Sequence, residues 1–371
     1  MAKYIGYRPT WAEVNLRNLE YNFARIKAKL STGTKVMACV KADAYGHGLV
    51  PVAKQLSASG ADYLAVASID EGIMLRDAGL RLPVLILGLV LKSDIAPLFE
   101  YGLIPTVSDL GFAAALNRKA ASSGRKINIH IKVDTGMGRI GVLYKEAFEF
   151  VKRVCRMHPV RIEGIFTHLS CADTNREFTL YQIALFNSLI SKLNTCGIHI
   201  PLAHAANSMG IIAYKQSHFN MVRPGLVIYG LYPKAGLSIK LRPVLSLKAR
   251  VVYVKQAPKG YGISYGRTYI LKRNTAIVTL PIGYGDGYPR NLSNIAPVLI
   301  AGKVFRISGR ICMDQIMVDV GDVQVKTGQE AVLIGTQGKN TITAEELSLL
   351  SGTIPYEIVC GLGSRVPRVY I

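Results

Sequence analysis

Acidic residues are scarce in this 371-residue chain: 24 Asp and Glu stand against 45 Lys and Arg, a formal net charge of +21. That deficit leaves nucleic acid, a membrane surface or an anionic small molecule as candidate counterparts. The basic residues are spread over the whole length, in stretches such as RNTAIVTL and KLRPVLSLKARVVYVK, with no basic arm and no recognition motif, so nucleic acid is not the expected partner. Closely spaced cysteines are also missing. Cys39, Cys155, Cys171, Cys196, Cys312 and Cys360 form no CxxC or Cys/His pattern, which argues against a zinc site or any other metal and for a reducing compartment. The longest apolar stretch, PVLILGLVL from Pro83, falls well short of the roughly twenty residues that span a bilayer. The opening MAKYIGYRPTWAEVNL has no apolar signal core, so a cytoplasmic protein without membrane association is expected. Internal repeats, low-complexity tracts and long linkers are absent. No GxGxxG turn opens the first strand–helix unit, which weakens a dinucleotide-binding fold.

What is present is an apolar half, enough for two substantial cores. From about Trp11 to Pro233, short apolar runs (KVMACVK, ADYLAVAS, LPVLILG, LIPTVSD, INIHIKVD, RIEGIFTHLS, IPLAHAANS) alternate with amphipathic stretches. GLVPVAKQLSASG, IDEGIMLRDAG, DLGFAAALNRKAASSG and YKEAFEFVKRVCRM place apolar residues at three- and four-residue spacing. Repeated strand–helix units with near-continuous apolar strands predict buried parallel strands, and roughly eight units predict an α/β fold with a (β/α)8 TIM-like barrel over residues 10–235. From 236 to 371, alternating β-branched segments punctuated by Gly, Asn and Pro predict a mostly antiparallel β domain, with residues 1–9 packing against it. One late helix is expected at TAEELSLLSG, where Thr343 and Glu346 have capping-box spacing.

In such barrels chemistry sits at the carboxyl ends of the strands. The polar residues ending the apolar runs are Lys41, Lys132 with Asp134 and Arg139, Thr167 with His168, Asn207 with Ser208, and Arg223. A single lysine at a strand end is ordinarily a solvated boundary residue. A lysine, a histidine and two arginines converging with a Ser/Gly lining on one mouth are harder to assign to packing. Lys41, in VMACVKADAYGHG, would be partly desolvated at the barrel rim, as a Schiff-base lysine requires. RPG at Arg223–Gly225 offers a cation and a small residue that lets backbone amides approach an anion, and Ser208 adds a hydroxyl, a lining suited to phosphate.

These segments resemble the alanine racemase family over essentially the whole chain. The resemblance lies in ACVKADAYGHG, KVDTGMGRIG, FTHLSCAD, NMVRPGLVIYG, GISYGRTY, IGYGDGYPR, GRICMDQIMVD and YEIVCGLGSRVPR. It implies interconversion of L-alanine and D-alanine, a peptidoglycan precursor, by a pyridoxal 5'-phosphate enzyme that acts as a homodimer. Lys41 carries the cofactor as an aldimine and serves one face of the substrate. Tyr265, acting on the cofactor of the neighbouring subunit, serves the other. An ordinary phenol titrates near about 10, so such a base needs cationic or hydrogen-bonding neighbours, and the family's candidates are His168 and Arg223.

By the same resemblance Arg223 faces the pyridine nitrogen, where a permanently charged guanidinium donates a hydrogen bond without giving up a proton and so disfavours transamination. Arg139 meets oxyanions. Lys132 matches a position that is carbamylated in many relatives and would orient Arg139. Tyr45, Asn207, Ser208, Tyr356 and the backbone at Gly225 and Leu226 match the cofactor and phosphate cradle, and the Met313 amide the site for the substrate carboxylate. Tyr284, Asp173, Arg290, Arg310, Ile354 and Tyr356 match positions lining the route inward. Pro224 stands where some relatives have an aromatic residue. A broad-specificity amino-acid racemase, a basic amino-acid decarboxylase of the same barrel type and a non-catalytic cofactor carrier remain as alternatives.

Overall fold

The computed structural model describes residues 7–234 and 236–371, so the expected packing of residues 1–6 lies outside the described residues. Arg8 does reach the second domain: its Nη1 and Nη2 lie 2.5 and 2.6 Å from the two oxygens of the buried Asp286 carboxylate. Thr10–Val14 (β1), assigned to the barrel from sequence, belongs instead to the second domain's main sheet. It runs antiparallel to Leu245–Arg250 and parallel to Arg368–Tyr370. Five residues, TWAEV, hold no information about partners more than 230 positions away.

The strands that follow are β2 (Lys35–Cys39), β3 (Tyr63–Val66), β4 (Val84–Ile86), β5 (Ile104–Val107), β6 (Ile127–Asp134), β7 (Val142–Leu143), β8 (Val160–Phe166), β9 (Leu202–His204) and β10 (Met221–Val222). β7 only extends the pairing at the end of β6. Among the described residues the other eight form a closed parallel barrel, with β5 on β6 and β10 on β2 completing the ring. Met37, Ala38, Leu64, Ala65, Val66, Leu85 and Ile86 are fully buried, as strands covered on both faces require. Each large aliphatic contributes about 1.5–3 kcal/mol on leaving water. The anticipated helices form at Leu49–Ala58, Ile69–Asp77, Leu110–Ser122 and Tyr144–Cys155. Ser68 and Asp109 cap the second and third of these by accepting from the Glu71 and Phe112 amides.

The second domain is mostly antiparallel. Its main sheet adds Glu330–Gln337, Pro297–Ile300 and Lys303–Arg306 to the strands already named, and a three-stranded sheet joins Tyr253–Ala257, Thr275–Leu280 and Ile316–Gly321. The late helix spans Ala344–Ser351, with Thr343 Oγ1 accepting from the Glu346 amide at 3.0 Å. A second short helix, Pro355–Cys360, packs against the turn that follows β2. Among the described residues no helix is long and apolar enough to cross a membrane.

That turn is the unusual element of the backbone. Ala42, Asp43, Ala44 and Tyr45 take φ values of 52–56°, four successive non-glycine residues in the left-handed region, where each L-residue is strained by about 1–2 kcal/mol. Surrounding groups over-determine it. Asp43 Oδ1 accepts from the Leu49 amide at 2.7 Å, and Glu71 accepts from the Asp43 and Ala67 amides. His47 Nδ1 lies 2.9 Å from Tyr45 O and 3.1 Å from Ala44 O, and Arg368 donates to Gly46 O at 3.0 Å. Both acceptors at His47 Nδ1 are carbonyls, so that nitrogen carries the proton, and burial pushes the imidazole down to about 4. Because exposed Ala42 sits in this strained region, Ala42→Val should destabilise the fold by about 1–2 kcal/mol while Ala42→Gly should not. Urea unfolding of the two variants checks the difference.

Candidate active site

A cavity of about 260 Å³ opens where the carboxyl ends of the barrel strands meet. The strained turn projects Lys41 and Tyr45 into it from the end of β2. Alternation along β6 turns His130 and Lys132 to the barrel interior, with Arg139 following on the DTGMG loop. Asp134 is consumed by that loop: its Oδ1 accepts from the Gly136 and Met137 amides at 2.8 Å. Burial pushes its carboxyl up, but the loop amides outweigh this and hold it below the usual range. His168 follows β8, Asn207 and Ser208 follow β9, and Arg223, Gly225 and Leu226 follow β10; Tyr356 comes from the second domain. Buried Gln182, on the helix Arg176–Thr195, steadies the β8 end by donating to His168 O and accepting from the Ser170 amide.

Arg223 is fixed on several sides. Its Nη1 donates to His204 Nδ1 at 2.7 Å, and its Nη2 reaches Thr167 O at 2.7 Å, Ala205 O at 3.1 Å and His168 Nδ1 at 3.4 Å. Burial lowers the guanidinium to about 10, so it remains cationic at neutral pH. His168 is held well below its ordinary value by burial, then by Arg223, Lys132, Arg139 and Lys41, and is therefore neutral. Lys132 is almost wholly buried. Its Nζ has no hydrogen-bond partner among the described residues and lies 4.9 Å from the centre of the Phe166 ring. Burial, then Arg223 and Arg139, lowers the amine well below 10.5.

The floor is a cradle. Ser208 Oγ lies within 3.3 Å of the Gly225 amide and 3.5 Å of the Val227 amide. A methyl group at Gly225 would stand 2.6 Å from the Tyr45 hydroxyl, so only glycine lets the two approach. Tyr45 packs against Tyr229 and Tyr356 with tilted rings, their centres 4.8 and 5.8 Å apart. None of the described residues lining the cavity is Asp or Glu, and an orphaned buried amine stands beside two arginines. This donor set fits a phosphorylated, oxyanion-bearing cofactor with an aldehyde to meet Lys41.

Eleven residues expected from sequence line this cavity: Lys41, Tyr45, Lys132, Arg139, His168, Asn207, Ser208, Arg223, Gly225, Leu226 and Tyr356. Tyr265 and Met313 do not. They share a separate, open concavity with Ser264, Cys312 and Asp314, and are 69% and 52% exposed. Tyr284, Asp173, Arg290, Arg310 and Ile354 also lie outside the cavity lining. Tyr284 and Ile354 are exposed, and Asp173 accepts from Lys234 through its backbone carbonyl. The sequence reading missed Cys39, Leu87, Ile140 and Phe166 on the walls, and His130 and His204 behind Arg223. The two histidines had a signal, an imidazole inside an otherwise apolar strand run.

Since the Lys132 amine loses its proton more readily folded than unfolded, the unfolded chain binds more protons between the two values. The penalty for burying the ammonium is therefore present at pH 7 and fades as pH rises toward 10.5. Lys132→Met should stabilise the fold at pH 7, with a smaller gain at pH 10; denaturant unfolding at both pH values checks this.

Comparison with known proteins gives a consistent result. The domain model "Alanine racemase, N-terminal domain" matches residues 14–233, and "Alanine racemase, C-terminal domain" matches residues 244–370. The alanine racemase of Halothermothrix orenii is 50% identical over 98% of this chain and 97% of its own, and that of Carboxydothermus hydrogenoformans 46% identical over 98% and 100%. Among solved structures, the alanine racemase of Clostridium difficile superposes with a TM-score of 0.94 at 40% identity, covering 99% of this chain and 97% of that one. That of Bacillus anthracis with bound L-Ala-P gives 0.93 at 38% identity, covering 99% and 96%.

Proposed function

The chain belongs to the alanine racemase family, and from that membership we propose that it interconverts L-alanine and D-alanine with pyridoxal 5'-phosphate held at the barrel mouth. One observation carries the reading: Lys41, Arg223 and the Ser208–Gly225–Tyr45 cradle converge on a single cavity rich in cations and free of carboxylates. When bound, the cofactor supplies an electron sink that loosens the α-hydrogen of an attached amino acid. Lys41 would hold it through Nζ. Tyr45, Asn207, Ser208, Tyr356 and the backbone at Gly225 and Leu226 would hold its phosphate.

The chain's own groups then divide the work. Arg223, cationic at neutral pH, would donate a hydrogen bond to the ring nitrogen while keeping its proton. Arg139 and the Met313 amide would receive the substrate carboxylate, with Lys132 beside Arg139. Lys41 Nζ takes or returns the α-proton on one face, and the Tyr265 hydroxyl of a second copy does so on the other, with neutral His168 as its hydrogen-bond partner. Tyr356, packed against Tyr45, narrows the space left for a side chain and favours a methyl group.

A shared site is supported by the exposure of Tyr265 and Met313. A large aromatic on an open concavity, away from the lysine it should face, is ready to complete a neighbour's cavity. We accordingly take the chain as a homodimer whose barrel, with its strands between Lys35 and Val222, holds the cofactor, while residues 236–371 supply Tyr265 to the other copy.

Lys41→Ala and Tyr265→Ala should each abolish racemisation of alanine, followed by loss of optical rotation or coupled D-alanine oxidation. Mixing the two inactive variants under conditions of subunit exchange should restore about a quarter of the native rate, because half the dimers are mixed and each mixed dimer has one intact site of two. No recovery despite demonstrated exchange would show that each site draws both bases from one chain.

A further inference from the structure

Behind Arg223 a line of hydrogen-bonding groups runs through the barrel to its opposite end. Arg223 Nη1 meets His204 Nδ1 at 2.7 Å, His204 Nε2 meets His130 Nδ1 at 2.8 Å, and His130 Nε2 faces Glu163 Oε2 at 3.5 Å. Both imidazoles are fully buried, whereas Glu163 lies at the amino-terminal mouth, lining a second cavity of about 360 Å³ with Arg81, Arg125 and Lys126.

The polarity of the line follows from its ends. A guanidinium can only donate, so His204 Nδ1 must accept and His204 bears its proton on Nε2. That proton points at His130 Nδ1, which must accept in turn, leaving the His130 proton on Nε2, directed at the carboxylate. Both histidines are therefore neutral and each is held to one tautomer. Burial, first among the causes, also disfavours their charged forms.

The barrel is shaped to hold this line. A β-bulge in the β6–β8 pairing, between Ile129 and His130, leaves Glu163 as the unpaired residue of β8. A methyl group at Gly164 would stand 2.5 Å from the His130 ring, so that glycine makes the space the imidazole occupies. His204 lies flat against Phe166, with ring centres 4.8 Å apart. Asn128 Nδ2 donates to Glu163 Oε1 at 3.0 Å. Although burial pushes the Glu163 carboxyl up, His130, Tyr63 and Arg161 hold it below the usual range, so it is ionised.

We propose that Glu163 is a positioning residue for Arg223: facing His130 Nε2, it anchors the far end of the line whose tautomers Arg223 sets, and supplies the distant counter-charge that holds the guanidinium in place. The proposal rests on the racemase reading for its kinetic consequences, but its tautomer assignment concerns this chain alone. Polarised hydrogen-bond chains in a low-dielectric interior are strengthened when a cation and an anion terminate them.

The experiment compares native protein, Glu163→Leu and Glu163→Gln, each with histidines labelled with nitrogen-15. Nitrogen-15 NMR of the protein without cofactor should show His130 and His204 each as a single Nε2–H tautomer in the native chain. In Glu163→Leu both should keep the Nε2–H tautomer, since Arg223 still donates to His204 Nδ1, but the His130 Nε2 resonance should shift as its proton loses the carboxylate. In Glu163→Gln, whose amide oxygen can accept from His130 Nε2, the native shift should return. With the cofactor bound, Glu163→Leu should lower kcat for alanine about 10- to 100-fold with KM little changed and should raise the fraction of turnovers ending in transamination, and Glu163→Gln should recover most of both. A native-like His130 Nε2 resonance and an unchanged transamination fraction in Glu163→Leu would overturn the proposal, as would Glu163→Gln behaving like Glu163→Leu. Should Glu163→Leu fail to fold, His204→Asn severs the line at its middle, and the transamination fraction must then rise while His130, still facing Glu163, keeps its Nε2–H tautomer. A native protein with fixed tautomers but no alanine racemisation would overturn the function proposed above and leave the assignment standing.

Discussion

Four basic side chains, Lys41, Lys132, Arg139 and Arg223, line a cavity to which the described residues bring no carboxylate. Burying like charges together is unfavourable unless something of opposite sign joins them or some of them give up their protons. The chain uses the second remedy at Lys132 and His168, whose protonated forms are disfavoured first by burial and then by their cationic neighbours. The first remedy is left to the ligand. On the function proposed above, a cofactor bearing a phosphate and a phenolic oxygen, and a substrate bearing a carboxylate, would supply the missing negative charge in the place where it is most stabilising.

Holding these groups in register demands rigidity that local preference would not provide. The turn presenting Lys41 runs through four left-handed L-residues, a conformation that persists because His47, Asp43, Glu71 and Arg368 each bond to its backbone or close it. The neutral, buried His47 touches both ends of the problem: its Nδ1 bonds the turn, and its ring packs on Tyr229, which packs in turn on Tyr45 in the cradle. Arg223 is held comparably by two carbonyls and two imidazoles. Positions of chemistry are thus fixed from behind by buried polar groups, on strands that cannot shift without opening the barrel.

The second domain enters this scheme twice. Within the chain it contributes Tyr356 to the cavity wall and Arg368 to the strained turn. Outward, it presents Tyr265 and Met313 on an open surface. A phenol this exposed on an open concavity is well placed to serve a neighbour, and that division would tie activity to assembly.

The strand–helix alternation was legible in the sequence because parallel strands buried on both faces must be continuously apolar, and the cavity residues because they terminate those runs. Motif resemblance then assigned roles, down to Ser208 and Gly225. Other features were not legible. β10 comprises only Met221 and Val222, too short for any period, and β1 looks like a barrel strand until its partners in the second sheet are known. The left-handed turn is hidden because Ala, Asp and Tyr do not announce positive φ as glycine does. The line from Arg223 to Glu163 joins four segments whose spacing in the chain is unrelated to their spacing in the barrel. Local pattern thus determined which elements form and which side chains end them, since periodicity and burial act over a few residues. Tertiary structure alone decided which way each imidazole donates, which backbone is strained and which tyrosine faces outward, because those depend on groups brought together only when the ring of strands closes.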